Sequence, residues 1–404
     1  MSLTEVMAYA DSAGTTLKAA RMGVQAAHES YNAATLGTLT PDLRLSATVG
    51  YLGDGYGWGR DSSYSFRVEM PHFSTRFGLD AQQVIYAGGA LRAGHHKAAL
   101  GQELAQLGYE QQRQDVHFEL VGLYLDLYRA MRQVEVYDSN IALTVRLIDE
   151  MRMRHEQGAA LQNDRTRYEL RLADLQMQRT VVENDMAIAN SRIVTLAGLP
   201  KGTRVVPDST FLNVPVNTSL NHYQTFPVQM ATKKAEMANE ALRQSRAAQL
   251  PYIALVAQDQ LNGPVTIDIT PYDINYNFWF VGAALRYDIS SLWKTSANVK
   301  AAKLQMQQRN TERQLAEEQT AHQVETALLR IDEARRNYAV KQKSVALAEQ
   351  NYTVVAARYR ADLALMVDLL DAANTKLSAE MDLVGARINI AYRQYLLQYI
   401  LGIG

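Results

Sequence analysis

Apolar positions along this chain follow two rhythms, and the places where one gives way to the other mark out its elements. Leu43, Leu45, Ala47, Val49 and Tyr51 alternate with Arg44, Ser46, Thr48 and Gly50, the period of two of a strand with one apolar face. "SYSFRVEM" and "FGLDAQQVIY" can continue that rhythm, and "YIALVAQDQL" and "NFWFVGAALRY" repeat it later in the chain. Turn-rich segments, "GDGYGWGRDSS" and "NGPVTIDITPYDINYN", separate the members of each pair. The pattern predicts two strands in each half, four per chain.

Elsewhere the apolar residues step by three or four. Ala321, Val324, Leu328, Ile331, Arg335 and Tyr338 do so, as do Leu170, Ala173, Met177 and Val181. Leu377, Met381, Val384, Ile388, Ala391 and Tyr395 form a near-heptad seam. Proline breaks helix interiors, and the nine prolines leave two long free tracts, after Pro71 and after Pro271. A helix from Arg92 to Gly158 would run roughly 100 Å at 1.5 Å per residue. Each tract is interrupted once: Gly158 in "RHEQGAALQNDRTRYE" can end a helix in an αL turn, and "RYRADLALMVDLLDA" occupies the same relative place. Each tract therefore predicts a helical hairpin.

The two halves share one plan: helix, strand, strand, helix, turn, helix. "LTPDLRL" answers "LPYIAL", Gly198 in "LAGLP" lies 204 residues before Gly402 in "ILGIG", and Gly158 lies 204 before Asp362. Internal duplication is the strongest organisational signal. The expected division is a first repeat over 1–199, with a strand pair at 43–86 and a hairpin at 92–198. A proline-punctuated connector over 200–227 leads to a second repeat over 228–404, with strands at 252–288 and a hairpin at 294–400.

Composition narrows the function classes. The formal net charge of −1 disfavours a nucleic-acid partner. No cysteine is present, which excludes disulfides, thiolate metal sites and cysteine nucleophiles. No run of about 20 apolar residues predicts a membrane-spanning helix. The start, "MSLTEVMAYADSAG", lacks signal-peptide character. It fits either a cytosolic protein or one whose signal has been removed. The eight histidines form no constellation with serine or acid, and His95–His96 has no metal-ligand spacing. Neither an enzyme nor a cofactor is expected. "GDGYGWGRD" lacks the spacing of a phosphate loop and reads as a surface loop whose aromatics suit a membrane boundary.

A four-stranded sheet cannot hide both faces and both edges within one chain. Closing a barrel with neighbouring chains removes the edges, and lipid outside with water inside suits the alternation. The chain here resembles the TolC family of outer-membrane efflux proteins over nearly its whole length. The resemblance rests on the duplicated plan, "LTPDLRL", "LPYIAL", "VIYAGG" before the third helix, and the turn carrying Tyr359, Asp362 and "VDLLDA". It implies a mainly α protein with a small β part: long antiparallel hairpins plus four transmembrane strands per chain, closed as a homotrimer of twelve strands. The connector would lie in the equatorial region. It further implies an outer-membrane channel of a Gram-negative bacterium, embedded in outer-membrane lipid and extending into the periplasm. Such a channel is the exit duct of a tripartite efflux pump or type I secretion system. Its expected partners are a periplasmic adaptor and an inner-membrane transporter. The alternative is a soluble periplasmic coiled-coil adaptor or scaffold, which explains the heptads but not the strand pairs.

By the same resemblance Asp368 and Asp371 match acids that ring the periplasmic entrance, Asp164 is the matching acid of the first half, and Tyr359 matches an aromatic that latches neighbouring coils. Gly158, Asp362, Arg358 and Arg360 would belong to the hairpin tips that meet an adaptor. Asp362 stands where glycine is usual and Ala364 where a basic latch residue often sits, so Arg358 or Arg360 are the expected substitutes. The plainer reading of Asp368 and Asp371 is that acids near a helix start complement its dipole and cap it. Arg152, Arg154, Arg165 and Arg167 are either a solvated hairpin tip or partners for acids of neighbouring hairpins.

Overall fold

A computed structural model describes residues 1–61, 63–156, 162–212, 214, 225–266 and 271–403. In chain order its elements are α1 (Leu3–Ala13), α2 (Thr15–Leu39), β1 (Asp42–Tyr51), β2 (Gly55–Trp58), β3 (Ser65–Val68), β4 (Phe73–Ala87), α3 (Ala90–Glu156) and α4 (Gln162–Ala197). A 3-10 turn at Thr210–Leu212 precedes α5 (Phe226–Ala247), β5 (Tyr252–Gly263), β6 (Tyr276–Arg286), the short α6 (Ser291–Lys294), α7 (Ser296–Arg360) and α8 (Met366–Leu401). The protein is mainly α with a smaller sheet. None of the described helices is long and apolar enough to cross a membrane. The chain forms two compact units, each drawing on both halves.

The first unit comprises residues 1–24, 106–230 and 314–404. Ser2 opens α1 with a reciprocal cap: its hydroxyl accepts from the Glu5 N–H, and the Glu5 carboxylate accepts from the Ser2 N–H. Leu3, Val6 and Ala10 of α1 pack with Leu120, Tyr124, Ile193 and Ile388 into the main core. Part of the connector joins that core. The Tyr124 and Phe211 rings pack edge to face with centroids 4.9 Å apart, and the Asn190 amide both donates to the Thr203 carbonyl and accepts from the Val205 N–H, so it stands in for a strand partner. Helices α4 and α8 end alike. Leu199 N–H reaches the Val194 carbonyl, Ile403 N–H reaches Gln398, and Gly198 and Gly402 take positive φ, as this cap requires.

Periodic seams have two fates within the unit. Leu377, Ile388 and Ala391 of α8 are buried, as are Val324 and Ile331 of α7. By contrast Leu170, Met177 and Val181 of α4 are exposed, and with Ile188 they form an uncovered apolar stripe. Leu329, Val340, Leu347 and Val354 do the same on α7.

The second unit comprises residues 25–105 and 231–313. Its sheet has the order β1-β4-β5-β6 with every neighbour antiparallel. Sequence alternation placed β1, β5 and β6 to within two residues, whereas β4 begins at Phe73, four residues before "FGLDAQQVIY". One part differs: "GDGYGWG" contains β2, and "SFRV" pairs with it as β3 in a separate ribbon rather than continuing the main sheet. An Arg67–Asp54 ion pair spans the ribbon's base. The single helix expected before the first strands is instead α1 and α2, broken at Gly14, where a Cβ would lie 2.5 Å from the Ala10 carbonyl oxygen.

Candidate functional site

The strand register determines which residues share a face. Leu43, Leu45, Ala47, Val49 and Tyr51 lie opposite Ala81, Leu79, Phe77, Thr75 and Phe73. Leu79, Ala81 and Phe77 lie in turn opposite Asp259, Ala257 and Leu261 of β5, and Trp279, Val281, Ala283 and Leu285 of β6 complete the row. Side chains alternate across a sheet, so these residues form one mostly apolar face. Asp259 is its main polar exception and accepts from Asn277 at 2.8 Å. Arg44, Ser46, Thr48, Arg76, Asp80, Gln82, Gln258, Gln260 and Asn262 occupy the opposite face, which is largely polar apart from Val84, Ala254, Val256 and Ala284 toward one end and Tyr276, Phe278 and Phe280 on β6.

Aromatics gather at both ends of the apolar face. Tyr51 and Phe73 stand at one end. At the other, a register shift between Val84 and Tyr86 sets Tyr86 opposite Ile253. Trp279, Leu45 and Tyr51 are 75%, 82% and 77% exposed, values that a protein facing only water does not tolerate as a contiguous patch. An apolar outer band with aromatic rims and a polar inner face is the pattern of a strand set in lipid. The outer ladder edges of β1 and β6 have no partner among the described residues.

The second candidate lies in the first unit, where α3 and α7 end and α4 and α8 begin. Leu147, Met151, Tyr168, Tyr352, Ala356, Met366, Leu369 and Ala372 form a small core there, with Tyr359 packed against it. Asp362 is the one non-glycine residue with positive φ among those described, at 60°. Leu363 N–H bonds to the Arg358 carbonyl at 2.8 Å and Asp362 N–H to Tyr359 at 3.1 Å. This is the same cap that glycine makes at 198 and 402, here carried by an aspartate. Left-handed backbone costs a non-glycine residue about 1 kcal/mol, and Asp and Asn bear it best.

What holds Asp362 is Arg154, at the end of α3. Its guanidinium donates to Asp362 Oδ1 at 2.5 Å and to the Tyr359 carbonyl at 3.4 Å, and it sits 5.4 Å from the Tyr359 ring centroid. Arg154 is largely buried, at 17% side-chain exposure, whereas Asp362 is exposed. Arg360 donates to Glu150 at 3.1 Å as a second tie between α7 and α3. Burial raises the Tyr359 phenol above its usual range, and the negative charge of Asp164 adds to this. Burial likewise leads an upward shift at Tyr168 and Tyr352.

The two acids of α8 differ. Asp368 accepts from the Leu365 N–H at 3.0 Å and so caps the helix start. Leu365, at the cap position itself, offers no acceptor, so only this half of a capping box exists. Asp371 is exposed and has no hydrogen bond or ion pair among the described residues. Asp164 lies in the first turn of α4. Arg358 is exposed, and its guanidinium has no acid partner among the described residues. Arg154 rather than Arg358 meets Asp362, and Arg360 turns to Glu150. Gly158 lies outside the described residues. No group of three or more histidines and acids able to hold a metal occurs among the described residues.

Three comparisons bear on this geometry. The family model for outer membrane efflux proteins matches residues 224–402, somewhat under half of the chain. The outer membrane efflux protein BepC of Brucella suis biovar 1 (strain 1330) is 22% identical over 327 residues, covering 79% of this chain and 70% of that protein. In fold, the outer membrane protein VceC of Vibrio cholerae superposes with a TM-score of 0.81 at 15% identity, over 99% of this chain and 96% of the other. The CmeC outer membrane channel of Campylobacter jejuni gives 0.81 at 16% identity, over 100% and 86%. The two-faced sheet, the paired hairpins and these likenesses agree on an outer-membrane transport protein rather than an enzyme or a soluble scaffold. Residues 224–402 resemble the outer membrane efflux protein family, and the chain has a TolC-like fold with an outer-membrane location extending into the periplasm.

Proposed function

We propose that three copies of this chain close into one channel, the exit duct of a tripartite efflux pump or type I secretion system, gated at the periplasmic side by its hairpin tips. The observation that carries the reading is the sheet: a mostly apolar face, a largely polar face and two edges without a partner among the described residues. Strand directions alternate from β1 to β6, so β6 of one copy can pair antiparallel with β1 of the next. Three copies then give twelve strands with no edge left. The uncovered stripes on α4 and α7 supply the matching helical interface.

The two repeats, 1–199 and 228–404, contribute one hairpin each to the gate, with 200–227 between them. Asp368, Asp371 and Asp164 line the entrance in this reading, and a ring of carboxylates concentrates cations and repels anions. Tyr359 is the latch. Opening separates tips that the closed state holds together, a two-state change. Energy comes from an inner-membrane transporter, joined through a periplasmic adaptor that meets the tip near Gly158, Arg358, Arg360 and Asp362.

The assembly is tested by mass in detergent. Wild type should run as three chains. Val340→Glu with Leu347→Glu, on the exposed stripe of α7, should leave helicity unchanged and yield single chains. A wild-type particle of one chain, or a variant that stays trimeric, would count against closure through these surfaces.

A further inference from the structure

Where the sheet of the second unit meets its helices, a cavity of about 290 Å³ is lined by Gly88, Arg92, Glu240, Arg243, Arg246 and Leu250 among others. Three arginines and one glutamate give it a net positive lining. Gly88 and Gly89 both take positive φ, 62° and 89°. At Gly88 a Cβ would lie 2.7 Å from the Leu250 Cβ and 2.8 Å from the Ala247 carbonyl oxygen, so glycine is what lets the turn close onto the end of α5.

That turn leads directly into α3, whose first residue is Ala90 and whose first turn contains no acid. A glycine at 89 offers no side chain to cap the leading N–H groups, and the positive end of a 67-residue helix is left open to an anion. Arg92 and Arg246 are exposed and have no acid partner among the described residues.

Glu240 supplies a second, independent observation. It is 8% exposed, and its Oε1 accepts from Arg243 at 2.8 Å. Its Oε2 is buried with no hydrogen-bond partner in the described structure. A buried carboxylate oxygen without a donor is costly, and an ammonium group would satisfy it. The site therefore offers guanidinium groups and helix N–H groups for a phosphate beside a carboxylate for an amine.

We propose that this cavity binds the headgroup of a zwitterionic phospholipid. The phosphate sits on Arg92, Arg246 and the start of α3, the ammonium reaches Glu240, and the acyl chains leave past the half-exposed Leu250. The position fits the ligand. Ala87, the last residue of β4, is one residue before Gly88, and Tyr252, the first of β5, is two after Leu250. With the sheet in lipid, this is headgroup depth. The inference thus rests on the membrane reading of the sheet, and free phosphate is the competing source of the same chemistry.

The test is native mass spectrometry of the full-length protein released from nanodiscs containing phosphatidylethanolamine and phosphatidylglycerol. Wild type should retain phosphatidylethanolamine preferentially, and Arg92→Gln with Arg246→Gln should reduce retention on the order of tenfold. Glu240→Gln should remove the preference between the two lipids. Millimolar inorganic phosphate should not displace the lipid. Equal retention by wild type and the arginine variant, or displacement by phosphate alone, would overturn the site while leaving the channel standing. A chain that fails to enter nanodiscs at all would overturn both.

Discussion

Asp362 is a residue whose backbone and side chain pull in opposite directions. Its αL conformation favours glycine, as at Gly198 and Gly402, while its carboxylate meets the guanidinium of Arg154. Replacing it by glycine relieves about 1 kcal/mol of backbone strain and removes an ion pair whose exposed acid limits its worth to under about 1 kcal/mol. Asp362→Gly should therefore leave the urea midpoint nearly unchanged and yet loosen the tip, seen as faster hydrogen exchange at Tyr359–Leu363. Arg154→Ala should loosen the same amides and also lower the midpoint, because the largely buried guanidinium packs on Tyr359. A large loss of stability in Asp362→Gly would show the ion pair to be stronger than its exposure implies. The glycine-like place of Asp362 is legible in the sequence through its 204-residue offset from Gly158. Its partner is not: Arg154 lies 208 residues away, and nothing local distinguishes it from Arg152, Arg165 or Arg167.

At the scale of elements, α1 is held to α3 by a compact polar cluster. Arg113 donates to both oxygens of Asp11, at 3.1 and 3.0 Å, and His117 meets Asp11 Oδ1 at 2.8 Å. Partial burial raises the Asp11 carboxyl, but the hydrogen bonds and charges of Arg113 and His117 outweigh it and hold the group below its usual value. A depressed carboxylate contributes stability above its unfolded pKa, and the contribution is lost as pH falls through the folded one. Asp11→Asn should therefore lower stability at neutral pH and flatten the acid limb below about pH 4. An acid limb unchanged in the variant would remove Asp11 from the account. Sequence periodicity made the long helices and four sheet strands legible because their apolar faces repeat over many residues. The β2–β3 ribbon escaped because Gly55 and Gly57 make β2 read equally well as turn, which leaves "SFRV" to be assigned to the main sheet. The break at Gly14 escaped because a lone glycine inside a helical pattern is usually tolerated.

For the whole molecule, each surface that one chain leaves unfinished is of a kind that copies of itself can complete. The sheet has two edges without a partner among the described residues, the long helices carry uncovered stripes, and Asp371 has no partner among those residues. The alternation of the strands already pointed to lipid on one side and water on the other, since no single chain could hide both faces. The lipid cavity was not legible, since Arg92 and Arg246 come from helices far apart in sequence and only the fold brings them to one turn. The proposed channel is cation-selective and narrowed by the carboxylates of α8. Single-channel conductance in a planar bilayer tests it most directly, comparing wild type with Asp368→Ala plus Asp371→Ala. Wild type should give a small cation-selective current blocked by divalent cations from the tip side, with selectivity and block both reduced in the variant. Inserted trimers that never conduct, even with Arg154 and Asp362 replaced to free the tip, would contradict it.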